Sequence, residues 1–224
     1  PALCVFFYRS IRLVYSLMIA INNDMYSHMI RLIVGLGNPG AKHESDRHNA
    51  GFWFIDRLAS QYKQFLQPEK RFLGKVAKIQ MEGQDIYLLR PDTYMNLSGE
   101  SVGPLCRFHK ILPGEVLVVH DELDLKPGSA RLKQGGGNGG HNGLKDIQAH
   151  LSSPQFWRLR FGIGHPRDLP GDDSKIDVAD FVLMKPKSAE QSNIDQAIDK
   201  ALKTLPVFIK GDVQHAMQVI HSPE

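Results

Sequence analysis

From Ile30 to Gly35 the chain reads IRLIVG, an almost continuously apolar run closed by glycine. Such a run is a strand buried on both faces, and strands of that kind belong to sheets layered between helices. The same texture returns in EVLVVHDELD, residues 115–124, whose polar residues mass at the C-terminal end. Between these runs, Gly51, Phe52, Ile55, Leu58, Ala59 and Tyr62 recur at helical spacing. Two strands are expected over Lys75–Met81 and Ile86–Arg90, around the turn EGQD. Ser98 is placed to cap a helix running to about His109, and Pro113-Gly114 then punctuates the chain. Strands near Ser129–Gln134 and Trp157–Ile163 flank a helix that starts just after Asn142. Ser188 with Gln191 fits a capping box for a helix carrying Ile194, Ala197, Ile198, Ala201 and Leu202. This alternation predicts an α/β fold: a single domain with a mixed, mostly parallel twisted sheet flanked by helices on both faces.

The length of 224 residues, with no internal repeat or long linker, suits one domain. PGDDSK, near residue 170, reads as a local loop. Residues 29–224 are assigned to the domain. Residues 1–28 are read as a non-native or upstream extension; a secretory signal with Arg9 and Arg12 as its basic start is the weaker alternative, because no convincing small-residue cleavage site follows. The uncharged run 13–23 is too short to span a bilayer. Cys4 and Cys106 match neither a zinc nor a disulfide-rich pattern, so a reduced cytoplasmic setting is expected.

Gly35, Gly37 and Gly40 spell the G-x-G-x-x-G dinucleotide fingerprint after a strand. That site also needs a helix beginning within the motif and an acidic residue ending a second strand. Here AKHESDRHN follows, without an apolar helical period, and Asp56 falls inside the expected helix. Both supports fail, and no nucleotide cofactor is expected.

A different chemistry is carried by the polar residues at the strand ends. Asn38 ends one strand, His48 closes the following loop, Asp121 ends VLVVHD, Asn96 lies in YMNLSG and Asn142 ends GGGNGGHNG. Loops beyond the C-terminal ends of parallel strands converge on the ligand crevice, so these five are expected to meet. A neutral His can take a proton from water while a carboxylate fixes its tautomer, and Asn side chains can hold a carbonyl or the water. Taken singly, each has a plainer role as a turn, cap or ordinary surface residue; their shared placement argues for catalysis. No G-x-S-x-G elbow or convincing Cys nucleophile is present, and the ten histidines include no H-E-x-x-H cluster, so water activated by His is the simpler chemistry.

The formal charge of +3 hides an uneven distribution. Residues 126–167 carry seven Lys and Arg against the single acid Asp146, a local charge of +6. Arg131 and Lys133 alternate with apolar residues, as do Arg158 and Arg160, so each pair shares a strand face. Such a stripe suits phosphates; with neither an RNA-recognition signature nor an aromatic ladder, base-specific reading is not expected.

The segments VGLGNPG, RHNAG, TYMNLSG, HDELDL, GGHNGLKDI and RLRFGIGHP occur in this order from Val34 onward, and with them the chain closely resembles the bacterial peptidyl-tRNA hydrolase family. The resemblance implies an esterase that cleaves the bond between a peptide and the 3′-terminal ribose of tRNA. It further implies a monomer without metal, organic cofactor, membrane or obligate protein partner. On matching positions, His48 is the base and Asp121 its orienting partner. Asn38, Asn96 and Asn142 position ester and water, with Met95 and His141 lining the cleft. Lys133 and Arg160 contact tRNA phosphate, and Arg131 and Arg158 are secondary candidates. The family often has Tyr where His43 stands, which puts a second histidine near the mouth and among the tRNA contacts. Asn138 stands where His is common. A non-catalytic RNA-binding role, known among relatives, is disfavoured by the intact His48, Asp121 and three Asn.

Overall fold

In a computed structural model describing residues 30–222, seven strands form one sheet; the extension assigned to residues 1–28 lies outside the described residues. The strands are β1 (Leu32–Gly35), β2 (Gln67–Glu69), β3 (Gly74–Met81), β4 (Gln84–Pro91), β5 (Val116–Glu122), β6 (Ala130–Gln134) and β7 (Trp157–Gly162). Their order is β2-β3-β4-β1-β5-β7-β6. The central run β4-β1-β5-β7 is parallel, and the strands added at both edges are antiparallel. The sheet is mixed, as expected, with its parallel part confined to the centre.

Among the described residues six α-helices accompany it: α1 (Ala50–Gln61), α2 (Ser98–His109), α3 (Asn142–Leu151), α4 (Val178–Val182), α5 (Ser188–Ile209) and α6 (Val213–His221). Alternation along the strands divides the core. Ile33, Leu117, Val119 and Leu159 face α1, α5 and α6, packing with Phe54, Ile55, Ile198 and Phe208. Leu32, Val34, Leu89 and Val118 face α2 and α3, packing with Val102, Leu105, Leu144 and Ile147.

Gly37 of the glycine motif and Gly51 at the start of α1 serve this packing. A Cβ on Gly51 would lie 2.3 Å from both Leu36 N and Val119 O, and one on Gly37 would lie 2.6 Å from the Phe52 ring. Glycine lets α1 approach the end of β1 closely enough for Phe52 N to donate to Leu36 O at 3.1 Å. At the far edge, Leu132 N donates to His221 Nε2 at 2.9 Å, so the last residue of α6 covers part of the exposed rim of β6.

Three expected caps are corrected. Ser98 opens α2 but donates its hydroxyl to Met95 O. The N-cap of α3 is His141, not Asn142. At α5 the carboxylate that returns to the backbone is Glu190, accepting from Lys187 N at 2.7 Å, one residue before the expected pair. Among the described residues, no helix is long and apolar enough to cross a membrane.

Candidate active site

Asp121, at the C-terminal end of β5 in the parallel part of the sheet, is 3% exposed. The chain entering α1 makes a single 3-10 turn over Arg47–Asn49 that presents His48 to it. Arg47 pins this turn by donating to Met184 O, Lys185 O and the Glu190 carboxylate. Asn49 pins it from the other side, accepting from Asn38 N at 2.8 Å and donating to Asn38 O at 3.1 Å.

One carboxylate oxygen serves two rings. Asp121 Oδ1 lies 2.8 Å from His48 Nδ1 and 3.2 Å from His141 Nε2. Burial would push the Asp121 carboxyl up, but the two histidines outweigh it and hold the pKa well below the ordinary 3.8. The ionised carboxylate can only accept, so both facing ring nitrogens donate. His48 therefore carries its proton on Nδ1 and keeps the Nε2 lone pair. Burial alone would depress His48; the charge and hydrogen bond of Asp121, helped by Asp46, raise it above 6.5.

His48, Asp121 and His141 place their ligand-type atoms within 4.8 Å of one another, a grouping that could hold a metal. The hydrogen bonding fits such an ion poorly. His141 Nδ1 accepts from Leu144 N at 3.4 Å, so the ring proton belongs on Nε2, facing Asp121. Ligation through Nε2 would move that proton onto Nδ1, against the Leu144 N–H, whereas a metal-bound His normally donates from its second nitrogen.

The three residues open onto a cleft of about 320 Å³. Asn142 lines it, Asn138, Gly139 and Gly140 form one wall, and Leu123, Val178, Ala179 and Val182 form an apolar wall flanked by Glu122 and Asp177.

The peptidyl-tRNA hydrolase family model matches residues 32–224. The chain is 67% identical over 194 residues to the peptidyl-tRNA hydrolase of Polynucleobacter asymbioticus, covering 87% of this chain and 99% of that protein. Identity to the peptidyl-tRNA hydrolase of Polynucleobacter necessarius is 65% over 194 residues, with the same coverage of 87% and 99%. The crystal structure of peptidyl-tRNA hydrolase from Acinetobacter baumannii superposes with a TM-score of 0.81 at 48% identity, covering 88% of this chain and 98% of that one. The chain belongs to the peptidyl-tRNA hydrolase family.

Within this peptidyl-tRNA hydrolase domain, only some of the expected site residues reach the cleft. His48, Asp121, His141 and Asn142 meet at the cleft. Asn38 is buried beside it, with Oδ1 accepting from Met95 N at 2.9 Å and so joining the loops after β1 and β4. Met95 itself is 4% exposed, in the core between the sheet and α2–α3, and does not line the cleft as expected. The reason is Gly143, where a Cβ would lie 2.6 Å from Met95 Sδ, so glycine admits the thioether beneath the start of α3. Asn96 is exposed next to Met95 and also lies outside the cleft lining. His43 folds back on Asp46, with 2.6 Å between Nδ1 and Oδ2, which ties up one side of its ring.

The basic stripe has the expected registry, with Arg131 opposite Arg160 and Lys133 opposite Arg158, but its members differ in what they face. Lys133 is exposed. Arg160 is half-buried, with Nε donating to Glu122 at 2.8 Å. Arg131 reaches His221 O at 3.1 Å and holds the end of α6. Arg158, expected as a secondary phosphate contact, is 3% exposed and turned under the glycine loop, with its guanidinium on two loop carbonyls.

Sequence reasoning missed Arg47 and Asn49 as supports of the His48 turn, and α4 as a wall of the cleft. Asn49 stood in RHNAG beside His48, a visible signal; the partners of Arg47 lie 137 or more positions away and left none.

Proposed function

We propose that the chain hydrolyses the ester joining a peptide to the 3′-terminal ribose of tRNA, acting as a cytoplasmic monomer without metal or organic cofactor. His48 Nε2 takes a proton from water as the oxygen attacks the ester carbonyl. Asp121 stabilises the imidazolium so formed and keeps the ring in the productive tautomer. Asn142 and the Nδ2 amide of Asn38 are the donors for the developing oxyanion, and Asn96 guides the incoming acceptor end. When the tetrahedral intermediate collapses, the ribose oxygen leaves with the proton from His48. The products are a peptide carboxylate and tRNA with a free 3′-hydroxyl. Lys133 and Arg160 hold backbone phosphate, Arg160 exchanging its Glu122 partner for it. Arg131 and His43, each already held by a partner of its own, are secondary members of this surface.

The observation that carries this reading is the His48–Asp121 hydrogen bond at 2.8 Å in the lining of the cleft. The test compares hydrolysis of N-blocked aminoacyl-tRNA with unblocked aminoacyl-tRNA. The blocked substrate is cleaved in preference, a chelator leaves the rate unchanged, and His48→Ala lowers turnover by about 10²–10⁴-fold while tRNA binding survives. Wild-type turnover in His48→Ala would remove His48 from the mechanism.

A further inference from the structure

We propose that Arg158 is a positioning residue that anchors the glycine loop forming one wall of the cleft. Residues 135–140 read GGGNGG, and Gly135, Gly136, Gly139 and Gly140 have φ of 65, 95, 58 and 82°. Only glycine holds such a backbone readily, so the loop gives up nearly all side chains that could pack it in place. Within the loop Gly140 N donates to Asn138 Oδ1 at 3.1 Å, and the rest of its hold comes from outside. Arg158 Nη1 donates to Gly137 O at 2.5 Å and Nη2 to Gly136 O at 2.7 Å. The guanidinium lies 4.7 Å from the centre of the fully buried Phe156 ring, whose own carbonyl accepts from Gly135 N at 3.0 Å. A planar fork can grip two successive carbonyls in a fixed orientation; an ammonium cannot.

Lys133 sits directly opposite Arg158 on β6 and is exposed, with its Nζ 2.7 Å from where a Cβ on Gly136 would lie. Both bases therefore reach the loop, Lys133 over its exposed surface and Arg158 onto its carbonyls from beneath. From Gly137 the chain passes through Asn138, Gly139 and Gly140, all lining the cleft, to His141 on Asp121. His141 N donates to Asn138 O at 2.9 Å, closing the loop onto the catalytic group. Arg158 thus acts on the cleft through backbone, two residues before Arg160.

The test uses Arg158→Ala and Arg158→Lys in the full chain, with three readouts. Amide exchange across 135–141 rises in both variants while β5 and α1 stay protected. Single-turnover cleavage at saturating substrate slows by about 10–100-fold, the scale of a misplaced reacting group. The salt dependence of tRNA affinity keeps its wild-type slope. The cleavage readout rests on the hydrolysis proposed above; the exchange and salt readouts do not, so the two proposals fail separately. Should Arg158→Ala not fold, the charge-conserving Arg158→Lys decides alone. Wild-type exchange and cleavage in Arg158→Lys, or a slope flattened by about 0.9 in Arg158→Ala with normal cleavage, would make Arg158 a phosphate ligand and overturn the assignment.

Discussion

At Asp121 a single oxygen holds two imidazoles, and that carboxylate raises the basicity of His48 against its burial. Burial works to lower the His48 pKa, and Asp121 reverses the sign. The proposed base His48 must be unprotonated to act, so kcat/KM of the wild type is expected to fall as pH drops through a value above 6.5. In Asp121→Asn the raising charge is gone and burial dominates, so the acidic limb moves to lower pH while the plateau falls. A pH profile of kcat/KM reads both effects, and an unmoved limb in Asp121→Asn would show that Asp121 does not set the His48 charge. That His48 and Asp121 meet was legible in the sequence, because loops beyond the C-terminal ends of parallel strands converge. The role of Met95 was not. It depends on whether a side chain a few ångströms from the cleft turns toward it or into the packing beneath, and no periodicity encodes that choice for a loop residue.

Among the elements, β1 and α1 make the junction that places both Asn38 and His48. Its tolerance is set by Gly51, because the atoms a Cβ would meet belong to backbone, which cannot rotate away. Gly51→Ala is expected to cost about 3 kcal/mol or more, the upper range for overpacking, lowering Tm by roughly 6–12 °C. Gly137→Ala is the contrast: nothing lies within 4 Å of its Cβ position and its φ is not positive, so its Tm stays near wild type. Equal shifts in the two variants, read by thermal denaturation, would show that helix approach does not explain the glycines. The long strands and helices were legible because their apolar residues repeat through the core. β2 was not: its three residues are largely exposed and include Pro68, so pairing with β3 is its main structural signature. The five-residue α4 likewise escaped the reading of its neighbourhood as loop, since it buries only Phe181 and Val182. The α5 cap was displaced by one residue because Glu190, not Gln191, is the side chain that also meets Arg47.

For the molecule as a whole, charge is segregated along the chain: residues 126–167 carry +6 and the remainder −3. Antiparallel pairing of β6 with β7 gathers four of these bases into two facing pairs. The structure then divides them, leaving Lys133 exposed and Arg160 held by a single carboxylate, while Arg131 and Arg158 are spent on α6 and the glycine loop. Phosphate binding by the two remaining bases is expected to be salt-dependent and separate from the chemical step. Removing one duplex-like phosphate interaction flattens the slope of log affinity against log salt by about 0.9. Lys133→Ala and Arg160→Ala should each show that change, with single-turnover cleavage near wild type once substrate saturates. Arg131→Ala should instead lower thermal stability, through the freed end of α6, with a smaller effect on the slope. Titrations of tRNA at several salt concentrations separate the cases. Unchanged slopes and affinities in both Lys133→Ala and Arg160→Ala would reduce the stripe to a solvated strand face, and slowed cleavage at normal affinity would move these residues into the reaction centre.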